Sequence, residues 1–242
     1  MNTKTQIFEE IVQERKSYRV FDPENPIKDE TVERSLKRAI LSPNSSNMQL
    51  WEFYIVKKKE DKEQLAKICL NQSGARTASQ LIVFVARPDK WKERQKSILK
   101  HLDETLKDKN SQKAKMAYNY YTKIMPLFYE TSFAFLRDKV KGIVMGYKAR
   151  KKPFFRDALS KNVEIVAQKS VSLAAQTFML SITSEGFDSL PMEGFDSVRL
   201  KKFLKLPKKA QINMVIAVGK GLPEGIYNER FRIPYKEVVF EL

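Results

Sequence analysis

Two short segments near the start of the chain carry the residue types best suited to chemistry. Arg15-Lys16-Ser17-Tyr18-Arg19 sets several cationic donors and a hydroxyl within five residues. Such a knot suits a phosphate, which takes charge-assisted, directed bonds from guanidinium groups. Ser42-Pro43-Asn44-Ser45-Ser46-Asn47-Met48-Gln49-Leu50-Trp51 supplies a dense set of amides and hydroxyls ending on an aromatic. That loop suits a flat ring system with polar edges. Together the two segments point to a small phosphorylated aromatic cofactor.

Other chemistries lack their residues. His101 is the single histidine and sits in the polar run Leu99–Glu104, far from the knot and the loop. A Ser-His-Asp hydrolase would have to use it, and so would most zinc sites. Cys69 is the single cysteine, so no internal disulfide or cysteine-rich metal site can form. A reducing, cytoplasmic setting fits. No metal site is expected. No Walker loop is present, and no pair of carboxylates stands out as a glycosidase pair. Gly219-Lys220-Gly221 follows a predicted strand, but Pro223 lies where a dinucleotide fingerprint would open a helix. It reads as a turn.

The chain has 242 residues and a formal net charge of +16. That length suffices for a sizeable core, and one domain, 1–242, is expected. Such a charge favours nucleic acid or an anionic ligand. The cations are spread along the chain, however, with their densest cluster at Lys148, Arg150, Lys151, Lys152 and Arg156. A solvated basic surface is favoured over a nucleic-acid groove. No apolar run is long enough to span a membrane, and Met1–Gln6 has no apolar signal core behind it.

The elements that must position these residues follow from periodicity. Thr5–Glu14 reads as a helix with Ile7, Ile11 and Val12 on one face. Asp29 is a candidate cap for a second helix carrying Val32, Leu36, Ala39 and Ile40, closed by Pro43. Trp51–Val56 reads as a strand, Asp61–Leu70 as a helix, and Leu81–Ala86 as a central strand buried on both faces. Residues from about 90 to 137 are helical and charged, broken at Pro126. Their aromatics (Tyr118, Tyr120, Tyr121, Phe128, Tyr129, Phe133, Phe135) read as core. Val140–Lys161 reads as a loop or insertion. Val163–Ser184 is a helix apolar around most of its circumference, ending near Gly186. It must be surrounded, either at the centre of a dimer or at the centre of one large domain. Ser170, Ser172, Ala174 and Ala175 would allow another helix to approach closely. A short helix to Leu204, a strand Ile212–Val218 and a last strand Lys236–Phe240 complete a mixed α and β chain.

Three segments, RKSYR at 15–19, SPNSSNMQLW at 42–51 and PMEGFD at 191–196, resemble the FMN-binding segments of the nitroreductase superfamily. A fourth, Arg230-Phe231-Arg232-Ile233-Pro234, agrees with it. The likeness runs from about Phe8 to Leu242, with a variable middle from about 90 to 162. Leu50 stands where the family usually has proline. Asn44 replaces a common serine, and Lys16 a common arginine or histidine. Gly74 lies about where some relatives place lysine.

The resemblance implies an α+β fold with a central, mostly antiparallel sheet flanked by helices. It implies an intertwined homodimer with two FMN molecules at the subunit interface, the long apolar helix at its core, and a C-terminal strand reaching the partner. Arg15, Ser17, Arg230 and Arg232 would gather round the FMN phosphate with Lys16 beside them. Arg19 would lie near the N1–O2 edge, where a cation favours the charge that develops on reduction. Pro43, Asn44, Ser45 and Asn47 would come from the other subunit, with Gln49 shaping that wall. Asn71 would face the pyrimidine edge. Pro191, Met192, Glu193 and Gly194 would line the ring near N5, largely through backbone. The activity implied is reduction of electron-poor acceptors, nitroaromatics or quinones, by NADH or NADPH in a ping-pong hydride exchange. The chemistry is centred on the flavin, with no catalytic side chain required. The alternatives are a non-enzymatic binder of nucleic acid or flavin, or a different two-electron reaction on the same fold.

Overall fold

The apolar run at residues 81–86 forms the middle of the molecule, and the remaining elements are arranged about it. The computed structural model describes residues 2–130, 134–150, 153 and 160–242. In chain order the elements are α1 (Thr3–Glu14), β1 (Phe21–Asp22), α2 (Asp29–Ala39), β2 (Trp51–Val56), α3 (Lys59–Ile68), α4 (Ser73–Thr77) and β3 (Gln80–Ala86). Then follow α5 (Trp91–Thr105), α6 (Gln112–Asn119), a π-helical turn (Tyr120–Ile124), α7 (Met125–Tyr129) and α8 (Ala134–Lys148). The chain ends with α9 (Ser160–Ser184), β4 (Asp188–Met192), α10 (Ser197–Phe203), β5 (Gln211–Gly221) and α11 (Tyr235–Val238).

The five strands form one sheet whose ladders are antiparallel. β3 lies between β2 and β5, and the far edge of β5 is shared by β4 and β1. Every residue of β3 is buried. Alternation then divides the core into two layers. Ile82, Phe84 and Ala86 face α9 and the Met48–Trp51 segment. Leu81, Val83 and Val85 face Phe21, Leu65, Cys69, Leu190, Met192 and Leu200. In the first layer the Phe84 ring lies 4.7 Å from Phe53 and 5.4 Å from Phe178. Burial raises the Cys69 thiol to about 11, so it stays protonated and inert.

α9 lays Val163, Ala167, Val171, Ala174, Phe178 and Ile182 on the core, a helical stripe of fully buried side chains. Its other face leaves Ile165 and Leu173 45% and 47% exposed. Gly186, at φ +78, ends it, with the Gly186 and Phe187 N–H groups donating to Thr183 O and Ile182 O. α2 packs alongside, joined by Ser181 Oγ to Ser35 Oγ at 3.0 Å and by Glu185 to Arg34 and Arg38, each at 2.7 Å.

These two arginines, Arg34 first, hold the Glu185 carboxyl down at about 2 against an ordinary 4.5. A depressed folded-state value means the stabilisation is complete above 4.5 and is lost as pH falls through 2. Because both arginines are about half exposed, Glu185→Gln is expected to cost only about 1 kcal/mol at pH 7. In urea melts the gap between parent and variant should narrow between pH 4.5 and 2.

Several expectations need correction. Asp29 does not cap α2; Lys28 occupies the cap, and the Asp29 carboxylate instead accepts from Lys57 and Gln80. Pro126 does not break the helical region. α6, the π-helical turn and α7 run on without a gap, and the proline, which has no N–H to give the preceding turn, lies just past the π-helical turn. The span from Val140 is helix through Lys148, not loop. Lys151, Lys152 and Arg156 of the basic cluster, and Phe133, lie outside the described residues. Gly219–Gly221 is not a turn: it continues β5, because β4 and β1 pair with it there. The C-terminal piece is not a strand in this chain. Pro234 starts a helical turn, with Glu237 N–H donating to Pro234 O and Val239 N–H to Tyr235 O. Among the described residues no helix is long and apolar enough to cross a membrane.

Candidate cofactor site

The basic knot follows α1, whose cap is Asn2. After Glu14 the chain turns extended and docks on the sheet margin: Ser17 bridges Ser189, and the Tyr18 N–H donates to Ser189 O at 3.3 Å. From the other side the turn after β5 closes on it. The Arg19 N–H donates to Gly225 O at 3.0 Å, and the Leu222 N–H donates to Val20 O at 3.0 Å. Gly225 is buried, and a Cβ there would stand 2.7 Å from Val20 N and 3.0 Å from Arg19 N. Only glycine lets these two backbones meet.

Arg230 then brings the C-terminal segment to the knot. Its guanidinium donates to Gln13 O at 2.9 Å and to Arg15 O. The result is a cavity of about 620 Å³ lined by Arg15, Lys16, Ser17, Arg19, Arg230 and Arg232, together with the 223–229 turn. Residues more than 200 positions apart in sequence therefore share one wall. Arg15 is half-buried, and its guanidinium is pushed below its usual value by burial first and by Arg230 and Arg232 next. Arg19 lies over the Tyr227 ring, 4.6 Å from its centroid. Glu229 also lines the cavity. Among the described residues none of the five cations forms an ion pair with a carboxylate. Clustered, unneutralised guanidinium groups repel one another, and an anion with several oxygens relieves that repulsion.

The remaining predicted residues lie elsewhere. Pro191 and Met192 belong to β4, two and three residues past the contact with the knot. Glu193 and Gly194 follow and are exposed. Gln72 Nε2 donates to Gly194 O at 2.7 Å and to Cys69 O at 3.1 Å, so it ties this segment to the turn holding Asn71. Asn71, in the left-handed region at φ 54, lines a separate cleft of about 770 Å³ with Lys59, Lys67 and Arg76. Pro43, Asn44, Ser45, Asn47 and Gln49 do not line the arginine cavity. Their loop runs into the opposite core layer through Met48, Leu50 and Trp51, and its backbone rests on α9, where the Ser45 N–H donates to Ser170 Oγ at 3.3 Å. Within one chain the structure thus unites Arg15, Lys16, Ser17, Arg19, Arg230 and Arg232, and leaves the 43–49 loop apart from them.

Sequence reasoning missed Gly225, Tyr227 and Gln72. For Gly225 a signal existed: Pro223-Glu224-Gly225 after a strand marks a turn. Gln72 and Tyr227 carry none.

The profile of the Nitroreductase family matches residues 12–220. The chain belongs to the nitroreductase family. Arg230 and Arg232 lie past the matched span. Protein DrgA of Synechocystis sp. is 26% identical over 209 residues, covering 86% of this chain and 81% of the relative. A nitroreductase-like protein from Streptococcus mutans shares the fold at TM-score 0.72 and 21% identity, covering 98% and 99% of the two chains. A protein from Exiguobacterium sibiricum, provisionally named a nitroreductase and crystallised in complex with FMN, shares it at TM-score 0.68 and 20% identity, covering 97% of each. These likenesses establish a nitroreductase-like α+β fold for this family member.

Proposed function

We propose that this chain is an FMN-dependent NAD(P)H oxidoreductase that reduces electron-poor acceptors such as nitroaromatics and quinones. The observation that carries the proposal is the arginine cavity. It offers four guanidinium groups, a lysine and a serine hydroxyl, and a phosphate is the anion that this donor set fits. Arg15, Lys16, Ser17, Arg230 and Arg232 would hold it. Bound FMN would supply the redox chemistry, taking up a hydride equivalent from NADH or NADPH and giving it to the acceptor. The chain's part is placement. Arg19, fixed by Gly225 and Tyr227, holds a positive charge for the N1–O2 edge. The 191–194 segment, braced by Gln72, offers backbone for the ring, and Asn71 its amide.

The site is completed, in this reading, by a homodimer. Ile7, Phe8 and Val12 of α1, Ile165 and Leu173 of α9, and Phe231 and Phe240 of the tail are all large, apolar and exposed in the single chain. Apolar surface of this extent on helices and tail favours burial against another copy. The 43–49 loop of one protomer would then face the cavity of its partner.

The test is colour. The purified protein should be yellow, release FMN on denaturation, and bleach anaerobically with NADH or NADPH. Colourless protein that cannot be reconstituted with FMN, and that binds DNA or RNA in a salt-sensitive way, overturns the reading. Arg19→Ala, saturated with FMN, is expected to be reduced about tenfold more slowly while losing little affinity. Stopped-flow reduction checks this, and equal rates in variant and parent contradict the role given to Arg19.

A further inference from the structure

The 43–49 loop is held in a conformation its sequence does not favour. Ser46, Asn47 and Gln49 all sit in the left-handed region, at φ 56, 51 and 48, and none is glycine. L-residues avoid that region, so the surrounding structure must impose it. Part of the hold is local: Asn44 Oδ1 accepts the Gln49 N–H at 2.8 Å. The rest comes from a distant, tyrosine-rich stretch of the variable middle.

Tyr120 and Tyr121 both reach the strained Ser46. The Tyr120 hydroxyl lies 2.8 Å from Ser46 Oγ, and the Tyr121 hydroxyl donates to Ser46 O at 3.0 Å. Consecutive residues of an α-helix diverge by about 100° and do not share a target. Here the two open a π-helical turn, Tyr120–Ile124, and their rings meet edge to face at 5.2 Å. Such turns are costly local departures from α geometry and concentrate at functional places. Gln95 Nε2 donates to Tyr121 O and fixes the turn from α5. Tyr129, 1% exposed, lies in the core layer against which both rings pack, and among the described residues its hydroxyl has no hydrogen-bond partner. Two adjacent tyrosines therefore converge on one serine.

We infer that Tyr120 and Tyr121 are positioning residues: their hydroxyls lock the 44–49 loop in its left-handed form, and that lock presents the loop to the flavin. The inference rests on the FMN reading above. Its chemistry is that of a clamp. With both hydroxyls gone, Ser46 is free to relax to an ordinary extended or right-handed backbone, carrying Ser45, Asn47 and Gln49 with it.

The experiment compares the parent with Tyr120→Phe/Tyr121→Phe, which keeps both rings in the core. Amide hydrogen exchange of residues 44–49 is followed in the full chain without FMN. FMN affinity is measured by fluorescence quenching, and thermal unfolding is recorded alongside. The expected result is faster exchange confined to the loop and FMN binding weakened about tenfold, with a midpoint of unfolding lowered by only a few degrees. Unchanged loop exchange overturns the clamp. Faster loop exchange with parental FMN affinity also overturns it, since the lock would then serve no flavin. A parent that binds no FMN sinks the cofactor reading instead, and the exchange data still decide whether the lock exists. Should the double variant fold poorly, Tyr120→Phe alone gives the same readouts.

Discussion

Gly225→Ala is expected to weaken FMN binding about 100-fold, or about 2.7 kcal/mol, while leaving the sheet intact. The reason is steric and local. The new Cβ would stand 2.7 Å from Val20 N and 3.0 Å from both Arg19 N and Val20 O. All three are backbone atoms, so no side chain can swing aside. The 223–226 turn must move away from the knot, breaking the Arg19 N–H bond to Gly225 O and loosening that from Leu222 N–H to Val20 O. Arg19 then leaves its place, and the two halves of the cation cluster separate. Gly142 provides the contrast: a Cβ there meets nothing, so Gly142→Ala in α8 should leave FMN affinity unchanged and slightly favour the helix. Fluorescence titration with FMN and far-UV circular dichroism give the two readouts. Parental affinity in Gly225→Ala would show that the turn does not hold the knot.

The same contrast between chain-local and chain-distant causes explains what the sequence made legible. The apolar run 81–86 announced a strand buried on both faces, because burial leaves no other pattern. The helical stripe of α9 announced itself equally, down to its end at Gly186. Arg15, Ser17, Arg230 and Arg232 could be grouped only through the likeness to a family, since nothing in their spacing shows that the chain's ends meet. β4 escaped because Pro191 speaks against a strand. The structure resolves the conflict by pairing Pro191 with Ile216 of β5 at the margin of the sheet, where proline is tolerated. β1, two residues long, has no periodicity to read. The Gly219–Gly221 segment looked like a turn because glycine favours turns. It is strand because Phe21 and Asp22 pair with Gly221 and Lys220. Where a C-terminal strand was expected, the single chain forms a helical turn begun by Pro234. The π-helical turn was invisible for a different reason: the contact it makes, with Ser46, spans some 75 residues.

Arg230→Ala is expected to match the glycine variant in size by another route, with FMN affinity falling about 100-fold. Arg230 does two things at once. It contributes charge to the cavity, and it fastens the C-terminal segment to the end of α1 through Gln13 O and Arg15 O. Arg230→Lys separates the two. Lysine keeps the charge but lacks the planar fork that reaches two carbonyls while leaving donors for an anion. It should therefore recover part of the affinity, to within about tenfold of the parent, yet leave the 228–242 segment as open to limited proteolysis as alanine does. Raising the salt concentration should weaken FMN binding to the parent more steeply than to Arg230→Ala, because one cation has been removed from the cluster. If lysine restores neither affinity nor protection, fastening of the segment accounts for the whole effect. If it restores both, charge alone suffices. Only the split outcome, with affinity partly recovered and the tail still loose, fits an arginine that builds the cavity wall and faces the phosphate at the same time.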